Sequence, residues 1–502
     1  MSEDTPEAGT VALDSRDGRF VIGTTVSGTA VAMLTATVVN VALPSLASDL
    51  GASSGEQQWV INAYMLPLAA LILIGGSLGD RFGRVRLYRL GVAWFAVASL
   101  LCAVAPNVEI LLGARFLQGV GGALLTPGSL SIIEATLRRA DRGRGVGQWS
   151  GITGIAAAVG PLVGGLLVDA SWRWVFVLNI PIATAVLVTS RRVPESFDEE
   201  ALGTRLDVPG ALLATVALGG ISYAMIQGPA GGWSTSEMAA AALAVVASVA
   251  LYFYEPRRDH PMVPLDLFAN RWFVAANMIT LLVYGGMGVV FFLLSIQLQV
   301  TSGWSALEAG TALVPVTILM LALSSRAGDL ARRIGPRWPL TIGPILIAVG
   351  MVMYTRIGPD ASYLTDVLPA VTVFGLGLSA AVAPVTATAI GSVPDGRSGA
   401  ASGTNNAIAR TGQLVAVAAV PSLVGLTGDA LSNPAELNAG FPGAMYAGAV
   451  FVVLGAVAAF FMFRGELPDE LAGEEEEGLH YPQCAVDGPH PSPVMAGENP
   501  TG

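Results

Sequence analysis

Long runs of apolar residues recur along almost the whole chain, and short polar segments rich in arginine or glycine separate them. A run of about 20 apolar residues is long enough to cross the ~30 Å hydrocarbon core of a bilayer as an α-helix. The pattern predicts an all-α membrane protein with 14 transmembrane helices. The predicted helices lie near 20–42, 57–79, 87–105, 110–132, 146–168, 174–190, 209–227, 238–254, 273–298, 308–325, 338–355, 366–390, 403–426 and 442–463.

The arginines indicate how these helices are oriented. If the N-terminus is cytoplasmic, 22 of the 26 arginines fall in cytoplasmic segments. Cytoplasmic loops of membrane proteins carry such an excess of positive charge. Arg173 and Arg356 fall in outside loops, whereas Arg115 and Arg410 fall within predicted helices. The distribution predicts that both termini are cytoplasmic.

A short motif occurs twice and predicts a duplicated architecture. The skeleton G-x-L-[GA]-x-R-x-G begins at Gly76, after the second predicted helix, and again at Gly328, after the tenth. Parallel repeats of this kind surround a central site in many transporters. We expect two six-helix bundles plus an inserted helix pair. The predicted segments are a cytoplasmic N-terminal tail (1–19), the first bundle (20–190), the inserted pair (207–256), the second bundle (265–464) and an acidic, disordered cytoplasmic tail (465–502).

The composition excludes several classes of mechanism. Hydrophobic residues make up 53% of the chain and charged residues 13%, against about 25% charged residues in soluble domains. The chain has no lysine, which a nucleotide-binding P-loop requires. The three histidines lie in a loop and in the C-terminal tail, so they predict no metal site in the membrane. We therefore expect no cofactor, no metal, no nucleotide and no enzymatic activity.

The polar segment after the second predicted helix is a candidate gating loop. It contains Gly76, Asp80, Arg81, Gly83 and Arg84. Its glycines permit a tight turn and a close approach between helices. The carboxylate of Asp80 can pair with a neighbouring arginine or accept hydrogen bonds at a helix N-terminus. The alternative is a merely solvated loop that follows the positive-inside rule.

Two arginines inside predicted helices are candidates for a central cavity or for coupling. Arg115 is followed by Gln118, and Arg410 is preceded by Asn405 and Asn406. An arginine within the membrane is costly and therefore marks a functional site, unless it lies near an interface and extends its side chain to water. Both alternatives stay open for the two arginines.

A cluster of small residues in the fifth predicted helix is a candidate site of helix bending. It comprises Gly160, Pro161, Gly164 and Gly165. Small residues let two helices meet backbone to backbone, and proline interrupts the hydrogen-bond ladder. Packing without bending is the alternative.

Polar side chains in the first two predicted helices complete the set of candidates. Thr35 and Asn40 lie in the first helix and Tyr64 in the second. We expect them to line a cavity, with packing in the core as the alternative.

Together, these segments resemble the major facilitator superfamily, specifically its fourteen-helix drug:proton antiporter family, over nearly all of 20–464. Gly76–Arg86 of this chain resembles the cytoplasmic gating loop of that family, Gly160–Gly165 its antiporter motif and Arg115–Gly119 its buried-arginine motif. The resemblance implies export of hydrophobic or amphiphilic small molecules, such as drugs or antibiotics, by alternating access driven by the proton-motive force. The use of arginine without lysine, beside abundant alanine and glycine, hints at a GC-rich bacterial genome. The expected location is the bacterial inner membrane.

One residue departs from the family pattern. Thr35 stands where the family usually has an aspartate that is regarded as the proton-coupling carboxylate, and threonine does not titrate in the working range. Glu134, near the cytoplasmic end of the fourth predicted helix, is the remaining candidate acid, and it lies about 28 Å from Arg115 along that helix at 1.5 Å per residue. A cap at the cytoplasmic end of the helix is the expected role of Glu134. The lack of carboxylates near Arg115 and Arg410 favours neutral, zwitterionic or anionic amphiphiles as substrates.

The expected partners are a small-molecule substrate, the lipid bilayer and protons, with no nucleic acid. Two other functions stay open. One is a proton-independent facilitator or a translocator of lipids or metabolites, for which the threonine at position 35 is the argument. The other is a membrane receptor or scaffold that does not transport.

Overall fold

The computed structural model describes residues 10–197, 206–258, 261–394 and 397–463. The predicted tail 465–502 and part of the predicted tail 1–19 lie outside these residues. The described α-helices are α1 (Arg16–Leu50), α2 (Ser54–Phe82), α3 (Arg84–Ala103), α4 (Val108–Thr136), α5 (Arg139–Val168), α6 (Trp174–Val177), α7 (Asn179–Thr189), α8 (Val208–Gly231), α9 (Thr235–Tyr254), α10 (Arg271–Ile296), α11 (Ala306–Thr311), α12 (Val314–Ile334), α13 (Arg337–Tyr354), α14 (Leu368–Gly391), α15 (Ser398–Leu423) and α16 (Pro434–Met462).

Each predicted transmembrane segment overlaps at least one of these helices. The sixth segment contains α6 and α7, and the tenth overlaps both α11 and α12. Among the described residues, 12 helical stretches are long and apolar enough to cross a membrane. Of α5, the stretch Val159–Val168 is counted as a shorter apolar helix, and α15 is not among the 12 because polar residues such as Asn405 and Arg410 lower its apolar character. The structure therefore shows an all-helical protein with 12 candidate spans, and the count of 14 stays a prediction.

The helices pack as two groups with a pair between them. In the first helix group, α1 to α7, the main contacts join α3 to α4, α2 to α4 and α1 to α5. In the second helix group, α10 to α16, they join α13 to α14, α10 to α15 and α13 to α16. The helix α8 packs against α9, against α2 of the first group and against α15 of the second. The two groups also contact each other directly, through α2 with α15 and through α5 with α11 and α12.

Three helices begin with the same capping sequence. Ser53–Glu56 starts α2, Ser234–Glu237 starts α9 and Ser305–Glu308 starts α11. In each, the serine hydroxyl accepts a hydrogen bond from an N–H of the first turn, and the glutamate carboxylate accepts one from the serine N–H. This reciprocal pattern satisfies backbone donors that have no partner inside the helix. All three starts lie at ends that the arginine distribution assigns to the outside.

Glycines bring α2 and α4 into backbone contact. A Cβ atom at Gly119 would lie 2.3 Å from the carbonyl oxygen of Tyr64, and one at Gly75 would lie 2.1 Å from that of Ala123. No real side chain tolerates such distances, so α2 and α4 can pack this closely only with glycine at both positions. Close packing of small residues is a main source of helix association in membranes.

We expect Gly119→Ala to destabilise the protein and Gly113→Ala, on the same helix, not to do so. The added methyl at position 119 meets backbone, and overpacking of this kind costs about 1–3 kcal/mol. At Gly113 nothing lies within 4 Å of the added Cβ, and alanine favours the helix by up to ~1 kcal/mol. Thermal unfolding of the two variants in detergent measures the difference. Equal shifts in both midpoints would contradict this account of the α2–α4 contact.

Candidate functional site

Arg115 lies fully inside the first helix group, with only 1% of its surface exposed. Its Nε donates to the carbonyl oxygen of Val60 at 2.9 Å, and its NH1 donates to Oε1 of Gln118 at 2.6 Å. Between the described residues, no ion pair includes Arg115. The side chain therefore does not extend to an interface, which was one alternative from the sequence.

Aromatic rings provide the rest of the environment of Arg115. Its guanidinium carbon lies 4.5 Å from the ring centre of Tyr64 and 5.9 Å from that of Phe176. The negative face of an aromatic ring attracts a cation, most strongly away from water. Tyr64 is itself buried and donates from its hydroxyl to the carbonyl oxygen of Ala32 at 3.4 Å. Tyr64 thus contributes its ring to the arginine site and its hydroxyl to α1.

A chain of hydrogen bonds connects Gln118 to Thr35. Gln118 Nε2 donates to Ser99 Oγ at 2.7 Å, and Asn179 Nδ2 donates to the same atom at 3.2 Å. The Thr35 hydroxyl donates towards Asn179 Oδ1 at 2.9 Å and towards the carbonyl oxygen of Val31 at 2.8 Å. We call Arg115, Gln118, Ser99, Asn179 and Thr35 the buried polar network. It joins α4, α3, α7 and α1 without a carboxylate.

The sequence analysis selected three members of this network and missed Ser99 and Asn179. Ser99 carries little signal, because a serine in an apolar helix often bonds only to its own backbone. Asn179 could have been selected from the sequence, since it is a lone amide within the apolar stretch 174–190. A buried amide needs partners, so its presence there predicted a polar neighbour.

The second helix group holds Arg410 in a different setting. Arg410 is half-buried on α15. Its NH1 donates to Gln413 Oε1 at 3.3 Å, and its NH2 lies 3.6 Å from the sulfur of Met33 on α1. Asn405 faces away from α1, because its Nδ2 donates to Asn277 Oδ1 at 3.1 Å and to Thr280 Oγ1 at 2.9 Å, both on α10.

The remaining polar candidates are less tightly held. Asn40 is half-buried and donates to the carbonyl oxygen of Ala36 in its own helix at 3.2 Å. Asn406 is half-buried on α15. The structure therefore brings Thr35, Arg115 and Gln118 into one network and leaves Arg410, Asn406 and Asn40 outside it.

The candidate gating loop is a tight turn between α2 and α3. Asp80 Oδ1 pairs with Arg84 Nε at 2.7 Å. Gly83 joins the two helices with φ +107°, a backbone conformation that side chains other than glycine rarely adopt. Gly76 packs near Pro127 of α4, and the guanidinium of Arg81 lies over the ring of Phe82.

Glu195, which the sequence analysis did not select, holds this turn from the segment that follows α7. Its carboxylate accepts hydrogen bonds from the N–H groups of Val85 at 2.9 Å and of Arg86 at 3.1 Å. These are free donors of the first turn of α3, where a negative charge is also favoured by the helix dipole. A Cβ at Gly83 would lie 2.9 Å from the carboxyl carbon of Glu195. Glycine is thus required at position 83 for two reasons, backbone conformation and space.

The glycine-proline cluster of α5 lies at the boundary between the two helix groups. A Cβ at Gly160 would lie 2.1 Å from the hydroxyl of Thr37, and one at Gly164 would lie 2.9 Å from Val38, both on α1. On the other side, a Cβ at Gly165 would lie 2.6 Å from the Cα of Leu307 in α11. Gly310 of α11 faces the carbonyl oxygen of Pro161 in the same way. The cluster therefore packs α5 against both groups.

Hydrogen bonds join the two groups at the ends assigned to the outside. The N–H of Ser54 donates to the carbonyl oxygen of Gly428 at 2.7 Å, and its hydroxyl accepts from the N–H of Leu431 at 2.9 Å. Gln299 Nε2 donates to the carbonyl oxygen of Val41 at 3.0 Å. With the α5–α11 contact, these bonds join the two helix groups at these ends.

Comparison with known proteins places this architecture in a family. The profile of the Major Facilitator Superfamily matches residues 25–417. The chain is 36% identical over 392 residues to the "Puromycin resistance protein pur8" of Streptomyces alboniger, which covers 77% of this chain and 78% of the relative. It is 31% identical over 460 residues to the "Tetracenomycin C resistance and export protein" of Streptomyces glaucescens, which covers 90% of this chain and 84% of the relative.

The solved structures agree on the fold. The chain is similar to the crystal structure of a D-xylose-proton symporter, with a TM-score of 0.60, 18% identity and coverage of 90% of this chain and 98% of that chain. At this level of identity the likeness concerns the fold alone. The family profile and the two relatives confirm the superfamily that the sequence motifs predict: the chain belongs to the Major Facilitator Superfamily of membrane transporters.

Proposed function

We propose that the protein is a secondary active transporter that exports hydrophobic or amphiphilic small molecules by alternating access. The observation that carries this proposal is its relatedness, over most of its length, to proteins named for resistance to puromycin and for resistance to and export of tetracenomycin C. The packing supports it, because the two helix groups meet along seams of small residues and a few hydrogen bonds. Such seams can separate without breaking the interior of either group.

The proposed topology has 14 spans and both termini in the cytoplasm of a bacterium. The division is a six-helix half at 20–190, an inserted pair at 207–256 and a second half at 265–464. Its support is the overlap of all fourteen predicted segments with helices. The distribution of arginines, 22 of 26 on one side, supports the orientation.

The export function is tested in everted membrane vesicles loaded with ATP-free buffer. We expect vesicles that contain the protein to accumulate tetracenomycin C, and vesicles without it not to do so. Imposing and then collapsing a pH gradient shows whether protons drive the uptake. A receptor or scaffold would leave accumulation equal in the two preparations, which would end the proposal of export.

The ion pair of Asp80 with Arg84 is proposed to hold the gating loop in one conformation. The pair is partly buried, with 33% of the Asp80 side chain and 19% of the Arg84 side chain exposed. It is charge-assisted, and bonds of this kind contribute roughly 1.5–3 kcal/mol. A two-state equilibrium would shift about tenfold or more by that amount.

We therefore expect Asp80→Asn to lower the export rate about tenfold while expression and thermal stability stay near wild type. The matched control is Asp329→Asn in the second copy of the motif. Its pair with Arg332 is exposed, with 57% of Asp329 and 72% of Arg332 accessible, and surface pairs contribute little. Wild-type export by Asp80→Asn, or an equal loss in both variants, would rule out the gating role.

We propose that transport depends only weakly on pH, because the side chain that bonds to Asn179 at position 35 is a threonine hydroxyl and not a titratable group. Thr35 supplies a hydroxyl to the buried polar network where relatives of the fourteen-helix family usually have a carboxylate. Glu134 lies in the last turn of α4, near the charges of Arg84 and Arg142. Few acids of the described helices are therefore available for proton coupling, and a facilitator without proton coupling is the second candidate function.

We expect substrate-induced proton release from proteoliposomes to be small for wild type and larger for Thr35→Asp. The new carboxylate would replace the hydroxyl beside Asn179, within the network that ends at Arg115, and would be able to bind and release a proton. Glu134→Gln should leave proton release unchanged. Robust proton antiport by wild type that disappears in Glu134→Gln would show that the coupling carboxylate lies on α4 and that this account of Thr35 is wrong.

A further inference from the structure

The two intramembrane arginines differ in how their charges are satisfied. Arg115 has a carbonyl oxygen, an amide oxygen and two aromatic rings around it, and it is fully buried. Arg410 has one amide oxygen at 3.3 Å and a thioether sulfur at 3.6 Å. A guanidinium carries five N–H donors, and a thioether is a weak acceptor. Arg410 therefore keeps much of its hydrogen-bonding capacity unused.

Arg410 lies at the centre of the protein, between the helix groups. It is the 13th of the 26 residues of α15, about 20 Å from either end at 1.5 Å per residue. Its contact with Met33 crosses from the second group to α1 of the first. The guanidinium thus faces the region that an alternating-access transporter opens to each side in turn.

Among the residues that the structure describes, no acidic side chain pairs with this charge. Within the described ranges, no ion pair includes Arg410. The acids of the neighbouring helices stand near helix ends: Asp17 and Asp49 in α1, Glu56 and Asp80 in α2, and Glu436 in α16. An uncompensated cation at this depth is costly. An anion that enters with the substrate would remove that cost.

We propose that Arg410 binds the carboxylate, or a comparable delocalised oxyanion, of an amphiphilic substrate. The planar guanidinium can hold such a group through two parallel hydrogen bonds. Arg115 has no such role, because it is fully buried inside the first helix group as part of the buried polar network, and it positions α2, α3 and α4 instead. The inference rests on the proposed function for its substrate class, but it concerns binding and can be tested without transport.

The test compares two ligands that differ only in charge, 1-pyrenebutyrate and its carboxamide, by fluorescence titration of the purified full-length protein in a neutral detergent. Wild type should bind the carboxylate about tenfold or more tightly than the amide. Arg410→Gln should lose this preference while its affinity for the amide stays within about twofold of wild type. Arg410→Lys keeps the charge without the planar fork, so it should retain part of the preference.

The control variant is Arg356→Gln, which removes the same charge from an exposed site in an outside loop. It should keep the full preference for the carboxylate. Thermal unfolding of each variant shows whether it is folded. If Arg410→Gln is not folded, the binding preference of Arg410→Lys tests the inference in its place. A wild-type protein without preference, or a preference that survives in Arg410→Gln, would overturn the inference. Failure of vesicles to accumulate any compound, with the binding preference intact, would instead count against the proposed export.

Discussion

The burial of one positive charge without a carboxylate constrains most of the first helix group. A guanidinium placed in a dry interior needs a partner for its donors and a favourable electrostatic environment, or the helix that carries it will not insert. Here neutral groups meet both needs: a backbone carbonyl of α2, the amide of Gln118 and the rings of Tyr64 and Phe176. Each of these groups must in turn be held in place. Ser99 and Asn179 do so by passing hydrogen bonds on to Thr35, so that α1, α2, α3, α4 and α7 share one set of mutually dependent positions.

The contacts inside this group and the contacts at its edge are of different kinds. Inside, side-chain hydrogen bonds are buried and specific, and losing one partner leaves another polar atom unsatisfied. At the edge, α5 meets α1 and α11 through glycines, and the outer ends are joined by a few bonds to backbone carbonyls. Contacts of small residues are specific in shape but contain no buried charge. This difference suits a molecule whose halves stay rigid while the surfaces between them separate.

The sequence predicted what depends on local patterns, and it could not predict what depends on distant partners. Apolar runs located every helix that the structure describes, because the length of a span is set by the thickness of the bilayer. The close-packing role of Gly160 and Gly164 followed from residue size alone. Glu195 and Ser99 did not follow, because their partners are 110 and 19 residues away and no local pattern marks them. The bonds of Asn405 to α10 could not be predicted either, because the face that a helix turns to each neighbour is set by the packing of the whole group.

The position of α8 makes the protein unequal on its two sides. One seam between the helix groups runs along α2 and α15, and α8 covers it by contacting both, with Gly55 and Gly219 allowing close approach to α2. The other seam runs along α5 and α12, and among the described helices neither α8 nor α9 packs across it in the same way. A compound dissolved in the lipid can pass between helices only where no third helix stands in front of them. The inserted pair therefore covers the α2–α15 seam and leaves the α5–α12 seam uncovered by either of its helices, which makes a pseudo-symmetric fold asymmetric towards the lipid.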